Sequence, residues 1–432
     1  MSNKNYITIL NKDITKEVIH IAIIGCGIAG LYTAYRLLRI NPNFKIIIYE
    51  KDNRIGGRCM TIKWYNRFIN LGAGIFTPQH TYLLKLLKDL DIEINTFSSN
   101  FECKEIENYN KPYESIPNYT KNVKEICELF LKVIEENKIQ TKNLTFRQFI
   151  NVYFDTEIHI FCDNYLFFHD VYDRNLYELI DMIEDHSIFY SNQMYKSHSI
   201  KNGGWQVLID KLHNLIKDKL EIKLNTIIDT ISYQSNIYLI NEGRRSNTIP
   251  IKFDKVYVCG DIDVRKIKFD NIDVSFLNVI SSVPLLRIYG YKEEGGYEKQ
   301  SYFIPNDRKV IGINNNIQMV CYKDSQLVYD YLYELNKKMG FEKVIRYNIF
   351  KQTNEPELDR VLKEEYNTDD TIFKYWEHGV HVRKEFNKYT YPLQQPNIYF
   401  LGEMMSDVLG FVEGAIKSVD IHFDNSNYYN YH

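Results

Sequence analysis

The segment from Ile21 to Glu50 constrains the fold of this chain more than any other. A short apolar run, Ile21-Ala22-Ile23-Ile24, leads into Gly25-Cys26-Gly27-Ile28-Ala29-Gly30, and an apolar helical stretch follows to about Leu38. A second apolar run, Ile46-Ile47-Ile48-Tyr49, ends on Glu50, twenty residues past Gly30. Gly25 permits a tight turn, Gly27 lets the backbone approach a pyrophosphate, and Gly30 lets helix and strand pack closely. The helix start at Ile28 and Ala29 presents free N–H groups to a diphosphate, and Glu50 is placed to accept hydrogen bonds from a ribose. The glycines alone would also suit a plain loop. Strand, glycines, helix, strand and acid in that order predict an α/β dinucleotide-binding unit.

Five further segments carry the same stamp. In Lys51-Asp52-Asn53-Arg54-Ile55-Gly56-Gly57-Arg58 the glycine pair exposes backbone N–H groups and Arg58 supplies a forked cationic donor. A surface turn with a solvated arginine is the plainer reading of the same residues. Asn70-Leu71-Gly72-Ala73-Gly74 is a second glycine turn, and Lys201-Asn202-Gly203-Gly204-Trp205 precedes a helix, a strand and Ile228. Near the end, Asn397-Ile398-Tyr399-Phe400-Leu401-Gly402-Glu403 reads as strand, glycine and acid, and Gly410-Phe411-Val412-Glu413-Gly414-Ala415-Ile416 opens a helix.

Together these blocks resemble the flavin-containing amine oxidase superfamily: monoamine and polyamine oxidases, L-amino acid oxidases and lysine-specific histone demethylases. Segments such as Pro284–Tyr289 and Met319–Asp324 look most like amine oxidases of giant DNA viruses. The resemblance implies a Rossmann-like FAD-binding domain interleaved with an α+β substrate domain. Residues 1–80, 196–265 and 371–432 would form the first, and 81–195 and 266–370 the second. It implies that Gly25, Gly27, Ile28, Ala29, Gly30, Glu50, Lys51, Gly57, Arg58, Gly72, Ala73, Ile228, Gly402, Glu403, Phe411, Val412 and Ala415 hold FAD. Asn70 stands where an acid is usual.

Composition sets the class. At 432 residues the chain can bury a large core and is expected to form two domains. Its 53 basic and 56 acidic residues leave a net charge of −3, so no global field points to nucleic acid or a membrane surface, and neither partner is expected. Residues 1–20 lack the apolar core of a signal peptide, and Asn430-Tyr431-His432 matches no common address signal. The seven scattered cysteines contain no CxxC, which fits a reducing compartment without a zinc site; cytoplasmic is the expectation, or a virion for a viral protein. The abundance of Ile, Asn, Lys and Tyr suits an AT-rich genome and says nothing about chemistry.

Between the glycine blocks, helical patterns are expected at His80–Leu90, Val123–Ile134, Thr145–Phe168, Gln206–Leu215, Gln326–Met339 and Glu357–Glu365. Strands are expected at Leu220–Leu224, Val256–Cys259, Leu285–Tyr291, Val310–Ile313 and Met319–Tyr322.

Four positions bear on the chemistry that the resemblance implies. Arg287 falls where many members have a lysine bridged by water to flavin N5, and a structural arginine paired with a carboxylate is the competing reading. Arginine is planar and never neutral, so it does not substitute for lysine like for like. Phe411 and His381 fall at the aromatic walls flanking the amine. Val380 falls where monoamine oxidases carry a flavin-linking cysteine, so the FAD should be non-covalent. Ile75 falls where L-amino acid oxidases clamp the substrate carboxylate with arginine, which favours amines without an α-carboxylate unless Arg287 acts as the clamp. The implied reaction is hydride transfer from a small-molecule amine to flavin N5, with O2 as the second substrate and hydrogen peroxide as product. Two alternatives stand beside it: an FAD-dependent desaturase or oxidase of a non-amine substrate, and a flavin-binding structural or interaction protein with little turnover.

Overall fold

The computed structural model describes residues 18–99, 101–103, 119–189, 195–243, 249–297, 301–304, 307–339, 356–383 and 396–426. Most of the polar N-terminal segment and the Asn430–His432 terminus lie outside them.

Three distant parts of the chain meet in one parallel sheet. Among the described residues its strands run in the order Ile398–Phe400, Lys255–Val258, His20–Ile24, Lys45–Tyr49 and Glu221–Lys223. All neighbouring pairs are parallel. From Ile21 to Ile24 the central strand is apolar and buried because both of its faces are covered there. Ile21 and Ile23 point to one side, where the helices Ile28–Ile40, Trp205–Ile216 and Val412–Ser426 pack. Ala22 and Ile24 point to the other, against an antiparallel layer carrying Ile231, Tyr238 and Ile240. The strand–helix–strand crossover fixes where the glycine turn lies: at the carboxyl end of the central strand, the usual ligand position in open α/β sheets.

The second body is built on a six-stranded sheet ordered Asp370–Arg383, Ile280–Tyr291, Ile317–Asp324, Arg308–Gly312, Ser301–Ile304 and Phe101–Cys103. Period-two alternation sorts the long strand Ile280–Tyr291. Leu286 and Ile288 face the helices Gln326–Lys338 and Pro356–Tyr366, packing on Val328, Leu332 and Leu362. Leu285, Arg287 and Tyr289 face the opposite way and line a cavity. The strand Asp370–Arg383 pairs along its length with Ile280–Tyr291. The boundary expected at residue 371 therefore falls inside the six-stranded sheet, because backbone pairing holds 370–383 there and the chain returns to the parallel sheet only at Ile398.

A helical cluster, Tyr119–Glu136, Phe146–Tyr153 and Thr156–Tyr165, completes this body around Phe130, Phe146 and Phe149, all fully buried. Thr145 and Gln148 form a reciprocal cap at the start of the middle helix, and Asp155 caps the next by accepting from Glu157 and Ile158. The expected single helical region Thr145–Phe168 is thus two helices broken at Phe154-Asp155. Among the described residues no helix is long and apolar enough to cross a membrane.

Candidate active site

A cavity of about 2130 Å³ runs from the parallel sheet to the six-stranded sheet. Its walls include every residue expected to bind the cofactor or to act in catalysis, with the exception of Gly30.

Gly30 is spent on packing: a Cβ there would stand 2.0 Å from the carbonyl oxygen of Gly25. Gly25 itself has φ +99°, a turn conformation that other residues adopt only with strain. Gly27 differs from both. Its φ of −72° is ordinary, and a Cβ would meet no protein atom nearer than the Gly57 Cα at 4.0 Å. The protein's own packing does not require glycine at 27, and the space it leaves opens on the cavity beside the start of the helix Ile28–Ile40. A diphosphate fits that cradle, where free backbone N–H groups gather.

Glu50 ends the second strand and is 7% exposed. Its Oε2 accepts from the Cys26 N–H at 2.7 Å and its Oε1 from the Asp52 N–H at 3.0 Å. Burial raises its pKa more than these two hydrogen bonds lower it. Ile228 starts a strand close by, where the Thr226 N–H donates to the Glu50 carbonyl at 2.8 Å. Lys51 is turned toward Asp263 (2.6 Å) and Asp261 (3.3 Å), whose charges outweigh its burial and raise its pKa.

The middle of the cavity is held by a buried polar network. Arg58 donates to the Gly379 carbonyl at 2.9 Å and to Glu403 at 2.8 Å. Nδ1 of His381 lies against the same Glu403 oxygen, and the Gly410 N–H donates to the other carboxylate oxygen at 2.5 Å. Burial alone would raise the Glu403 pKa, but the charges of His381 and Arg58 hold the carboxyl well below the usual range. The Gly379 carbonyl is available to Arg58 because the register between the two long strands shifts there, from Val283↔Val380 to Leu285↔Trp376. Gly72 packs against the Arg58 carbonyl, which accepts the Ala73 N–H at 2.9 Å. Asn70, in place of the usual acid, accepts from the Thr61 hydroxyl at 2.7 Å and donates to the Gly74 carbonyl at 3.3 Å, which pins the turn.

At the substrate end, Gly410 (φ +82°), Phe411 and Val412 lead into the C-terminal helix, with Ala415 one turn on. Glu413 in that first turn caps the helix Thr81–Asp89, accepting from Tyr82 and Leu83. The Phe411 ring meets His80, 4.8 Å between centroids at 60°. Burial and the neighbouring His198 lower the His80 pKa to about 4, so its ring is neutral near pH 7. His381, expected as the second aromatic wall, is 1% exposed and engaged with Glu403. Its ring works as a strut of the buried network, because a nearly inaccessible side chain has no face to offer a substrate.

Arg287 is 9% exposed, donates to the Asn70 carbonyl at 3.1 Å and stacks over the Tyr322 ring at 5.5 Å. The structural alternative for Arg287, a carboxylate partner, has no counterpart among the described residues. Sequence reasoning missed His80, Lys309 and the aromatic pair Phe167-Phe168, which also line the cavity. Lys309 follows Asp307-Arg308 in a charged turn and carried no signal of its own; for His80 there was none beyond its place before a helix.

Known proteins resemble this chain in sequence and in fold. The sequence model of the flavin containing amine oxidoreductase family matches residues 28–287, more than half of the chain. A coproporphyrinogen III oxidase of Staphylococcus aureus is 37% identical over 73 residues, 17% of this chain and 16% of that protein. The L-amino acid oxidase Cdc18 of Crotalus durissus cumanensis is 25% identical over 292 residues, 60% of this chain and 56% of that one. The chain thus spans between 16% and 56% of the length of these relatives. The cyclohexylamine oxidase of Brevibacterium oxydans IH-35A superposes with a TM-score of 0.67 at 15% identity, over 95% of this chain and all of the other, a likeness of fold.

Proposed function

This chain belongs to the flavin containing amine oxidoreductase family, and from that premise we propose that it oxidises a small-molecule amine, using FAD held without a covalent bond and O2 as electron acceptor. Membership makes it a flavin-dependent oxidoreductase; the amine, the non-covalent attachment and the residue roles are our reading. One observation carries it: a single cavity collects the Gly27 cradle, the Arg58–Glu403–His381 network, Phe411 and the substrate-sheet residue Arg287.

FAD bound there would take a hydride from the carbon next to the amine nitrogen and pass the electrons to O2 as hydrogen peroxide. The chain's own residues bind and orient. Gly27 and Gly57 would admit the diphosphate, and Glu50, already fixed by the Cys26 and Asp52 amides, would offer its remaining lone pairs to the ribose. The start of the helix Val412–Ser426 directs partial positive charge into the cavity. The Arg58–Glu403–His381 network keeps that helix start in register through the Gly410 N–H. Phe411, backed by His80, is an apolar wall for the substrate. Val380, an aliphatic side chain, offers no atom for a thioether. Neither a nucleophile nor a metal is called on.

The match to coproporphyrinogen III oxidase supports a second reading, an FAD-dependent oxidation of a non-amine substrate. Purified protein incubated with primary, secondary and polyamines, with peroxide measured by a coupled peroxidase, tests the first. Peroxide release with at least one amine is expected. Release with porphyrinogens alone would transfer the assignment to the second reading.

A further inference from the structure

Several buried or part-buried guanidinium groups among the described residues meet carboxylates, although part-buried Arg54 donates to the Ile55 and Gly57 carbonyls instead. Arg58 meets Glu403, Arg174 meets Asp170, Arg308 meets Asp307 and Arg383 meets Glu178. Arg287 breaks the pattern. It is buried, as only Arg383 of these is, yet among the described residues no carboxylate lies within ion-pair distance, and its Nε has no hydrogen-bond partner. Its guanidinium donates to the Asn70 carbonyl, which already accepts the Tyr289 hydroxyl at 2.6 Å. A neutral carbonyl and an aromatic face ease a buried cation without cancelling its charge.

A second cation stands at the same ring. Lys309 is 7% exposed, with Nζ 4.6 Å from the Tyr322 centroid, 3.8 Å from Phe168 and 4.2 Å from Phe167. Both cations line the cavity, on strands adjoining the one that carries Tyr322. Burial, helped by the nearby Arg287 charge, lowers the Lys309 pKa to about 7 against the opposing charges of Asp324 and Asp170.

We propose that Arg287, with Lys309 across the Tyr322 ring, is the docking site for a carboxylate carried by the amine substrate. The inference rests on the amine-oxidising reading above and names its substrate class: amines that bear an anionic group. A ligand carboxylate supplies the countercharge that the protein withholds from Arg287, and a guanidinium is the side chain best matched to it. It reverses the preference drawn from Ile75 alone. Ile75 lines the same cavity at 41% exposure and supplies no charge, but the charge is present on the substrate sheet.

The test compares benzoate with its neutral isostere benzamide, titrated into the oxidised holoenzyme and followed by perturbation of the flavin absorption band and by thermal shift. Benzoate is expected to bind roughly tenfold or more tightly than benzamide, the size of a charge-assisted hydrogen bond. Arg287→Met should abolish that difference, Arg287→Lys should retain most of it, and Lys309→Met should narrow it. Equal binding of the two ligands by wild type, or an undiminished benzoate preference in Arg287→Met, overturns the proposal. If Arg287→Met does not fold, the wild-type comparison and Lys309→Met decide. Because binding needs no turnover, the outcome is separate from the amine reading: amines that bleach the flavin without any benzoate preference would keep that reading and sink the anion site.

Discussion

The carboxylate of Glu50 accepts the backbone N–H of Cys26 at 2.7 Å, tying the end of the second strand to the glycine turn of the first. The sequence reading gives Glu50 a ribose to bind; the structure gives it a structural duty as well. Glu50→Ala would leave the Cys26 and Asp52 amides without this acceptor, at a cost of about 1–3 kcal/mol for each group left unsatisfied. We therefore expect Glu50→Ala to lower the melting temperature of flavin-free protein and to weaken FAD retention. An unchanged apoprotein melting temperature would leave the ribose as its sole partner.

Gly27 and Gly30 separate cofactor space from packing space. Gly27→Ala adds a Cβ that meets no protein atom nearer than the Gly57 Cα at 4.0 Å, so the apoprotein should keep its stability. FAD affinity should fall by about ten- to a hundredfold, the effect of overpacking a tight contact. Gly30→Ala should instead compromise folding, because its Cβ would collide with the Gly25 carbonyl. Apoprotein melting curves and flavin titration of both variants check this. Unchanged FAD affinity in Gly27→Ala would remove the diphosphate from this cradle.

These two glycines also mark what a sequence can disclose. The strand–turn–helix of the parallel sheet was legible because a tight turn, a close helix and a strand-end acid each impose a residue type at a fixed spacing. The substrate end was not. The Phe411–His80 contact joins residues more than 300 positions apart, and the Lys309 aromatic box draws Phe167 and Phe168 from a different element. Pairing across sheets leaves no local spacing to read. His381 shows the converse error: its position in the chain suggested a wall, while its burial and the Glu403 carboxylate make it a strut.

Replacing that strut should be felt in stability first. His381→Phe leaves Glu403 with Arg58 and the Gly410 N–H but removes one charge-assisted bond, worth about 1.5–3 kcal/mol. A lower melting temperature with little change in substrate KM is expected. A large KM increase at unchanged stability would restore His381 to the substrate wall.

Acid should destabilise the protein before its carboxylates titrate. Burial lowers the pKa of His80 to about 4, with His198 adding to the shift. Burial also lowers His422 to about 4, with Lys255 and Arg36 adding. In the unfolded chain both titrate near about 6.5. Between these values the unfolded state binds more protons, so stability is full above about pH 6.5 and is lost as pH falls toward about 4. Each histidine contributes on the order of 1–3 kcal/mol across that window. His422→Phe, which keeps a ring beside Tyr257 and Tyr399, should flatten the slope of melting temperature against pH in that range. A slope identical to wild type would contradict the assignment.

The flavin should leave the protein on denaturation. Val380 cannot form a thioether, so acid precipitation should release FAD into the supernatant, identified by chromatography. Colour retained in the pellet would show a covalent link elsewhere.

The most direct test of the account is anaerobic mixing of the purified flavoprotein with amines, each paired with its carboxylated counterpart, while the oxidised-flavin absorbance is followed. Bleaching by at least one amine, reversed by air with release of hydrogen peroxide, is the predicted result. An oxidised band that survives every amine but is bleached by dithionite would contradict amine oxidation.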